Sequence, residues 1–207
     1  MPLIYNEKIN AATKIGVWHI TESEDYFLKN VTLHRYIAHP HKRLQHLAGR
    51  HLLRELFPNF PLHLIEIADT RKPFLTDEAF HFSISHCGDY AAVIISTENR
   101  VGVDIEIPHP KIEKIKHKFL SEKEQRILAD KHVANYISHT LAWSIKEALF
   151  KWYGSGEVDF IKHMEITFIQ KSISKYKAQC IFKKIEVIYL EVQSFVLPHN
   201  ILTWVIS

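Results

Sequence analysis

The sequence predicts an α+β fold made of two similar halves, residues 1–99 and 100–207. Two observations favour this fold class. Segments with the apolar and polar alternation of strands lie on both sides of segments with the three-to-four-residue apolar repeat of helices. The order of these segments also restarts near residue 100, where "VGVDIEI" resembles the earlier "IGVWHI". Two such halves would face each other across a ligand cleft, although so short a similarity is weak evidence against chance.

The first half predicts strands that surround two helices. In chain order, its elements are a strand over residues 14–20, a helix from Glu22 towards Ile37, a helix from Pro40 to Pro58, a strand over 62–68 and a hairpin over 80–96. Acidic residues favour a helix start at Glu22, and Pro58 ends the second helix because proline lacks the N–H that the helix needs. Gly88 and Asp89 are turn residues between the two hairpin strands.

The second half repeats this order. Its elements are a strand over residues 101–107, a helical stretch, a long helix from about Asn135 to Tyr153, and apolar strands that reach the C-terminus. Apolar residues recur at helical spacing along the long helix and predict its core face: Ile137, Leu141, Ile145, Ala148, Leu149 and Trp152. The helix is therefore expected to bury this face and to leave another face for Trp143, Glu147 and Lys151.

The composition excludes several classes of protein. A chain of 207 residues that is 46% hydrophobic and 12% aromatic can build a sizeable core. No apolar stretch reaches the length of a membrane span, and the N-terminus lacks the pattern of a signal peptide, so a cytoplasmic protein is expected. Cys87 and Cys180 are too few for a disulfide framework or a structural zinc site. A net charge of +3 is too small to indicate nucleic-acid binding by itself but is compatible with anionic ligands.

Two carboxylates stand out in the strand predicted over residues 101–107. Side chains alternate between the faces of a strand, so Asp104 and Glu106 share one face while Val103 and Ile105 share the other. Two carboxylates this close repel each other and raise each other's pKa unless a cation or water relieves the repulsion. The alternative is an edge strand whose polar face meets solvent.

A third carboxylate, Glu147, lies on the long helix, with Lys151 four residues later. The simplest alternative for this spacing is a solvated ion pair, which contributes about 0.2 to 0.5 kcal/mol. Against that alternative stand the large aromatic residues Trp143 and Phe150, which are unusual on a solvated face. If the strand packs on this helix, the three carboxylates converge as oxygen ligands, and such a set without Cys or His suits Mg²⁺.

Five short motifs resemble those of the 4'-phosphopantetheinyl transferase superfamily. Three of them, "VGVDIE", "FLSEKE" and "WSIKEALFK", keep the order and approximate spacing of the family signature. "KPF" (72–74) and "FSISH" (82–86) are similar to further motifs of its longer, surfactin-type branch. The resemblance covers about residues 40–160, and the five motifs together identify the chain as a member of this family.

The resemblance implies an enzyme that requires Mg²⁺. The family transfers the phosphopantetheine arm of coenzyme A to a serine of an apo acyl or peptidyl carrier protein and releases 3',5'-ADP. In the longer branch, the implied fold is a monomeric pseudo-dimer with coenzyme A between its halves. Coenzyme A and a carrier protein are thus the expected partners, without nucleic acid or a membrane. The basic residues of "KIEKIKHKFL" are an expected contact surface for an acidic helix of the carrier.

The resemblance also implies roles for individual residues. Asp104, Glu106 and Glu147 match the metal-binding carboxylates. Coenzyme A is expected to contact Arg43, Lys72, Ser85, His86, Lys146 and Lys151, and Glu147 and Lys151 also count among the catalytic residues. Taken alone, His86 fits a core histidine at a strand end equally well, and Arg50 competes with Arg43 for the 3'-phosphate. Cys87 departs from the family, in which Ser or Thr often follows this histidine, and puts a hydroxyl contact there in doubt.

Glu124 in "FLSEKE" has two interpretations. The segment "SEKE" matches a capping box, in which Ser121 caps a helix and Glu124 returns a hydrogen bond to the backbone of the cap. The resemblance instead implies that Glu124 is the catalytic general base that accepts the proton of the carrier serine, directly or through a water. The first interpretation makes Glu124 a structural residue and the second makes it a catalytic one.

Two other function classes fit the same residues. A phosphodiesterase, or another Mg²⁺ enzyme that acts on phosphate esters, would also use three carboxylates and nearby lysines. A non-catalytic module that binds an acidic partner would fit the basic charge and the Lys- and His-rich residues 109–118. The basic residues are, however, spread among acidic ones rather than gathered in a stripe with interleaved aromatics.

Overall fold

The computed structural model describes residues 2–33, 36–129 and 134–207. Its internal contacts divide the chain into two compact units, Met1–Val101 and Gly102–Ser207, and each is described by itself. In each unit one long helix packs on strands of the unit's own sheet, which confirms the predicted α+β class. That the two halves form a pseudo-dimer stays a prediction.

The first unit contains two helices and two small sheets. Its elements are β1 (Leu3–Lys8), β2 (Thr13–His19), α1 (Glu24–Leu28), α2 (Pro40–Leu56), β3 (Glu66–Ile67), β4 (Pro73–Phe74), β5 (His81–Cys87) and β6 (Tyr90–Ser96). The main sheet is antiparallel, in the order β1-β2-β6-β5, and β3 pairs with β4 alone. The structure confirms the predicted first strand, the helix from Pro40 and the hairpin that turns at Gly88 and Asp89.

The core of the first unit lies between α2 and the main sheet. The helix contributes Leu47, Leu52, Leu53 and Leu56, and the sheet contributes Trp18, Phe82, Val93 and Ile95. These side chains are at most 4% exposed. The apolar spacing along α2 therefore predicted the buried face of this helix correctly.

The helix predicted from Glu22 towards Ile37 is much shorter in the structure. It covers only Glu24–Leu28, and His34 and Arg35 of the predicted helix lie outside the described residues. The sequence that follows is "NVT" (30–32), which combines an asparagine with β-branched residues that have low helix propensity. The acidic start was a valid signal for the beginning of the helix but carried no information about its length.

The strand predicted over residues 62–68 was also wrong. Leu62–Leu64 forms a turn of 3₁₀ helix, and only Glu66–Ile67 is extended and paired. Short apolar runs do not distinguish a strand from a tight helical turn, because so few positions do not reveal a period.

The second unit contains a longer helix and a larger sheet. Its elements are β7 (Val101–Glu106), α3 (Glu122–Ile127), α4 (Asn135–Tyr153), β8 (Met164–Ser172), β9 (Lys175–Phe182), β10 (Ile188–Val196) and β11 (Ile201–Ile206). Short 3₁₀ turns cover Pro110–Lys114 and Lys116–Lys118. The sheet order is β7-β11-β10-β9-β8. The predicted strand, long helix and C-terminal strands are thus confirmed, and no helix within the described ranges is long and apolar enough to cross a bilayer.

Close packing of β7 on α4 depends on Gly102. A Cβ atom at this position would lie 2.1 Å from the carbonyl oxygen of Ala148 and 2.7 Å from the backbone N of Trp152. Side-chain carbons do not approach backbone atoms this closely, so only glycine allows the observed contact. The contact places the residues that follow Gly102 directly beside the helix.

Candidate active site

The strand β7 and the helix α4 bring an acidic and a basic residue together. Asp104 is only 2% exposed, and its Oδ1 accepts a hydrogen bond of 2.6 Å from Lys151 Nζ. Hydrogen bonds between charged groups at this distance are among the stronger ones in proteins. Although β7 is at one end of the five-stranded sheet, this part of its polar face does not meet solvent, so the edge-strand alternative is wrong for Asp104.

The second carboxylate of the strand, Glu106, is held by a tryptophan. Trp143 Nε1 donates a hydrogen bond of 3.1 Å to Glu106 Oε1. The indole of Trp143 packs between two other rings, with centroid distances of 5.1 Å to Phe119 and 5.5 Å to Phe160. Trp143 therefore has a polar contact with the acidic face and an apolar contact with the core, which explains its place on this face of α4.

The third carboxylate, Glu147, titrates in the field of the other two. The pKa of Glu147 is raised to about 7, mainly by burial and also by the charges of Asp104 and Glu106, while Lys151 opposes the shift. Carboxylates influence one another in this way only when they lie close together. Glu147 is thus not part of a solvated ion pair with Lys151, and the structure brings the three predicted metal ligands into one neighbourhood.

The chemistry of this neighbourhood fits a hard divalent cation. Among the residues that the structure describes, no three or more His, Cys, Asp or Glu side chains are already arranged as a metal-binding cluster. Lys151 lies 2.6 Å from one oxygen of Asp104, and the charges of Asp104 and Glu106 contribute, after burial, to the raised pKa of Glu147. Asp104, Glu106 and Glu147 offer only oxygen ligands, which Mg²⁺ prefers. The residues present therefore fit a magnesium ion.

Lys146 lies elsewhere, contrary to the expectation that it contacts coenzyme A. Its side chain is fully buried, and Nζ is 2.7 Å from Glu124 Oε1. It also donates to the carbonyl oxygens of Phe119, Phe160 and Met164 at 2.5, 2.8 and 3.1 Å. Since this ammonium group faces the interior of its own unit, the geometry does not support a contact with coenzyme A.

Glu124 occupies the same interior site and not the acidic neighbourhood. The capping box is present: Ser121 Oγ accepts from the backbone N–H of Glu124, and the Glu124 carboxylate accepts from the backbone N–H of Ser121. Glu124 Oε1 also accepts from the backbone N of Ile166 at 3.0 Å, and the residue is 1% exposed. This position agrees with the structural interpretation of Glu124 and does not support its role as general base.

Lys72 of the first unit has a lowered affinity for its proton. The pKa of Lys72 is lowered to about 8, mainly by burial and also by the neighbouring charge of Arg100. A lysine beside an arginine, with its charge only partly tolerated, is typical of a site that receives an anion. This observation favours the predicted phosphate contact of Lys72 but does not test it.

Ser85 and His86 lie on neighbouring positions of β5. The strand pairs them with Ala92 and Ala91 of β6, so their side chains point to opposite faces of the sheet. Ser85 is 5% exposed, whereas His86 is exposed. The alternative of a core histidine is therefore wrong for His86, and only His86 of the two presents its side chain to solvent.

Arg43 and Arg50 on α2 have contacts within the first unit. Arg43 Nε donates to Glu24 Oε1 at 2.7 Å and Arg43 Nη1 donates to the carbonyl of Ile37 at 2.8 Å. This hydrogen bond to Glu24 is the main cause that raises the pKa of the guanidinium of Arg43. Arg50 Nη1 lies 3.1 Å from His46 Nδ1. The contacts of Arg43 tie α1 to α2, which is a structural role for this residue.

Two features of the site were not predicted. The role of Gly102 is visible only when the strand and helix are in contact, although the unusual glycine inside a strand pattern was a signal that could have suggested it. The second is an open cavity of about 540 Å³ beside Trp143. Its lining includes Ile115, Lys118, Val158, Phe160 and Lys162.

Comparison with known proteins agrees with this placement of the site. Residues 100–201, which include β7, α3 and α4, match the model of the 4'-phosphopantetheinyl transferase superfamily. This match covers just under half of the chain. It is similar to a Haemophilus influenzae protein provisionally named a 4'-phosphopantetheinyl transferase, with 29% identity over 68% of this chain and 62% of that protein.

Two further relatives match a shorter part of the chain. Enterobactin synthase component D of Salmonella typhi is 34% identical over 53% of this chain and 47% of its own length. The 4'-phosphopantetheinyl transferase psf-1 of Bacillus pumilus is 33% identical over 52% of this chain and 47% of its own length. The matched segments thus span about half to three fifths of the curated relatives.

Proposed function

We propose that this protein transfers the phosphopantetheine arm of coenzyme A to a serine of an apo carrier protein and releases 3',5'-ADP. The observation that carries the proposal is the arrangement of Asp104, Glu106, Glu147 and Lys151 between β7 and α4. This arrangement lies within the segment that matches the superfamily, and it combines oxygen ligands with a lysine as a pyrophosphate substrate requires.

The three carboxylates would hold Mg²⁺. When bound, the ion polarises the attacked phosphorus and stabilises the phosphate that leaves. Burial is the main cause that raises the pKa of Glu147 to about 7, the charges of Asp104 and Glu106 add to it, and a cation at the site would oppose both effects. Trp143 orients Glu106 through the indole N–H, so the carboxylate keeps one oxygen in a fixed direction.

Lys151 is placed to exchange partners. In the structure its ammonium group pairs with Asp104 at 2.6 Å. Where the three carboxylates would hold a metal ion, Lys151 would neutralise a phosphate of coenzyme A as a point charge. The same side chain therefore stabilises Asp104 without substrate and the phosphates with substrate.

Residues of the first unit are proposed to bind the rest of coenzyme A. Lys72 carries its positive charge mainly below pH 8, and His86 presents an exposed ring. Ser85 and Arg43 remain candidates with buried or paired side chains. We further propose that the chain follows the longer, surfactin-type branch, acts as a monomer and works in the cytoplasm.

A transfer assay with a panel of apo carrier proteins tests the activity. Fatty-acid, polyketide and peptide carriers are each incubated with coenzyme A and Mg²⁺, and the mass gain of the carrier and the release of 3',5'-ADP are measured. The expected result is release that depends on the carrier and on its target serine. Release of 3',5'-ADP without any carrier, or no transfer to any of them, would contradict the proposal.

The state of assembly tests the branch. A chain that carries both halves is expected to sediment as a monomer in analytical ultracentrifugation at micromolar concentration. A stable trimer would contradict the longer-branch proposal without affecting the proposed reaction.

A further inference from the structure

We propose that Lys146 and Glu124 are positioning residues, whose buried ion pair holds Phe119 and Phe160 on both sides of Trp143 and thereby fixes the tryptophan that donates to Glu106. The importance of Glu106 rests on the proposed function. The ion pair between Lys146 and Glu124 and its contacts are independent of the proposed function.

Lys146 has no proton left for a ligand. Its ammonium group has three N–H donors, and four acceptors surround it: one carboxylate oxygen of Glu124 and the carbonyls of Phe119, Phe160 and Met164. The side chain is 0% exposed. A contact with a phosphate would require Lys146 to leave these acceptors, and buried acceptors without a donor are costly.

Both oxygens of the Glu124 carboxylate already accept hydrogen bonds within the protein. One oxygen meets Lys146 and the backbone N of Ile166, and the other accepts from the backbone N and the hydroxyl of Ser121, both at 2.8 Å. A general base must come within hydrogen-bond reach of the proton that it accepts. A carboxylate that is 1% exposed and hydrogen-bonded on both oxygens has no such access.

Two of the carbonyl oxygens that accept from Lys146 belong to the residues whose rings contact Trp143. Lys146 donates to Phe119 O and Phe160 O, and the rings of the same residues lie 5.1 and 5.5 Å from the indole. Trp143 precedes Lys146 by three residues on α4, so both side chains leave the helix within one turn. Lys146 therefore fixes the backbone of Phe119 and Phe160 relative to the helix that carries Trp143.

The consequence for the site follows from one hydrogen bond. Trp143 Nε1 donates to Glu106 Oε1 at 3.1 Å. When the flanking rings are no longer held, the indole can rotate and the donor moves away from the carboxylate. A misplacement of about 1 Å at a supporting residue can slow a reaction about a hundredfold. The pair thus acts on Glu106 through Trp143 and touches no substrate itself.

The experiment compares Lys146→Met, Glu124→Gln and the double variant with the wild type. Matched controls are Lys123→Met and Glu122→Gln on the exposed side of α3. Four measurements are made: the melting temperature, the steady-state kinetics (kcat and KM for coenzyme A), the ¹H–¹⁵N signal of the Trp143 indole, and the affinity for Mn²⁺ as a metal probe without substrate.

We expect each single variant to melt about 10 °C lower, because it leaves one buried charge without its partner. The double variant recovers part of this loss, which measures the coupling of the two residues. Lys146→Met and the double variant shift the indole signal and weaken Mn²⁺ binding about tenfold. Glu124→Gln keeps the pH profile of kcat and loses less than tenfold in rate. The control variants change none of the four measurements.

Three results would overturn the proposal. A hundredfold loss of kcat in Glu124→Gln at an unchanged melting temperature would make Glu124 the base. A raised KM for coenzyme A in Lys146→Met at an unchanged melting temperature would make Lys146 a phosphate ligand. An unchanged indole signal and Mn²⁺ affinity in the double variant would leave the pair without a positioning role.

The proposal can also be tested if a variant does not fold or if the proposed function fails. If Lys146→Met does not fold, the rate and pH profile of Glu124→Gln still separate a base from a positioning residue. If the wild type neither binds Mn²⁺ nor transfers to any carrier, the proposed function fails. The indole signal and the coupling in melting temperature then still test the pair.

Discussion

The two long helices pack on strands of the same pattern, but the contact of β7 with α4 contains an ion pair between Asp104 and Lys151. In β2, a Cβ at Gly16 would lie 3.1 Å from the Leu56 side chain at the end of α2. In β7, a Cβ at Gly102 would lie 2.8 Å from the Trp152 side chain at the end of α4 and closer still to the helix backbone. A glycine therefore permits the helix to approach the strand in both units.

The difference lies two residues after each glycine. Trp18, two residues after Gly16, is 4% exposed and packs on His51 of α2 with a centroid distance of 4.9 Å. Asp104 follows Gly102 and pairs with Lys151 of α4. The same frame of strand and helix thus encloses an aromatic cluster in one unit and an acidic neighbourhood in the other.

The helices differ at the matching positions as well. α2 carries His51 and Glu55 four residues apart, with 3.5 Å between His51 Nε2 and Glu55 Oε1. α4 carries Glu147 and Lys151 at the same spacing. The comparison teaches that packing sets the frame, whereas a few polar side chains decide whether the contact is structural or suited to chemistry. A common origin of the two units stays a prediction.

Removal of a carboxylate from the acidic neighbourhood gives the largest expected effect. Asp104→Ala and Glu147→Ala should each lower transfer at least about a hundredfold, because a metal ligand supports several kcal/mol of transition-state stabilisation. Steady-state transfer rates and circular dichroism measure activity and folding together. Glu55→Gln on α2 should transfer normally. Near-normal activity with Mg²⁺ in either alanine variant would remove the metal assignment.

The two glycines should differ in sensitivity. Gly102→Ala should lower the free energy of unfolding by about 3 kcal/mol, because its Cβ meets backbone atoms that cannot move aside. Gly16→Ala meets side-chain carbons at 3.1 and 3.3 Å and should cost about 1 kcal/mol or less. Urea unfolding measures both. Equal losses would show that the two helix contacts are alike in tightness.

His51 and Glu147 should give stability opposite dependence on pH. Burial raises the pKa of Glu147 from 4.5 to about 7, so the folded state holds a proton that the unfolded state has lost between these values. The contribution of Glu147 is therefore present below pH 4.5 and declines by about 3 kcal/mol as pH rises to 7. Glu147→Gln should abolish this decline in metal-free protein.

For His51 the sign is reversed. Burial is the main cause that lowers the pKa of His51 below 6.5, while Glu55 and Glu22 oppose the shift. Its contribution is present above pH 6.5 and is lost as pH falls through the lowered pKa, since the unfolded state then binds the proton first. Urea unfolding of His51→Gln and Glu147→Gln from pH 4 to 8 separates the contributions of the two residues to the free energy of unfolding. Slopes of the same sign would contradict the contrast.

The smallest effect concerns the starts of the short helices α1 and α3. Ser121→Ala removes the capping box of α3 and should cost about 1 kcal/mol. Ser23 stands at the same place before α1 but, in the described structure, makes no side-chain hydrogen bond to the helix. Ser23→Ala should therefore leave the melting temperature within about 1 °C of the wild type. A larger change in Ser23→Ala than in Ser121→Ala would reverse the expected order.

Patterns within a few residues predicted much of the fold and of the site. The repeat along 135–153 and the alternation in 101–107 depend on local periodicity, and both elements have the expected bounds to within a residue. The chemistry of Asp104, Glu106 and Glu147 as an oxygen ligand set also follows from residue type alone. In contrast, the length of α1 and the short 3₁₀ turn at 62–64 were missed, because propensity and contacts compete there.

The sequence by itself determined the α+β class, the two long helices and the identity of the three carboxylates, because local periodicity and side-chain chemistry do not need distant partners. Only the tertiary structure decided which charges meet. Lys151 pairs with Asp104 from another element, and Lys146 turns away from its neighbour Glu147 to meet Glu124. Adjacent residues of a helix point in directions about 100° apart, so one packing arrangement sends one lysine to the site and the other into the core.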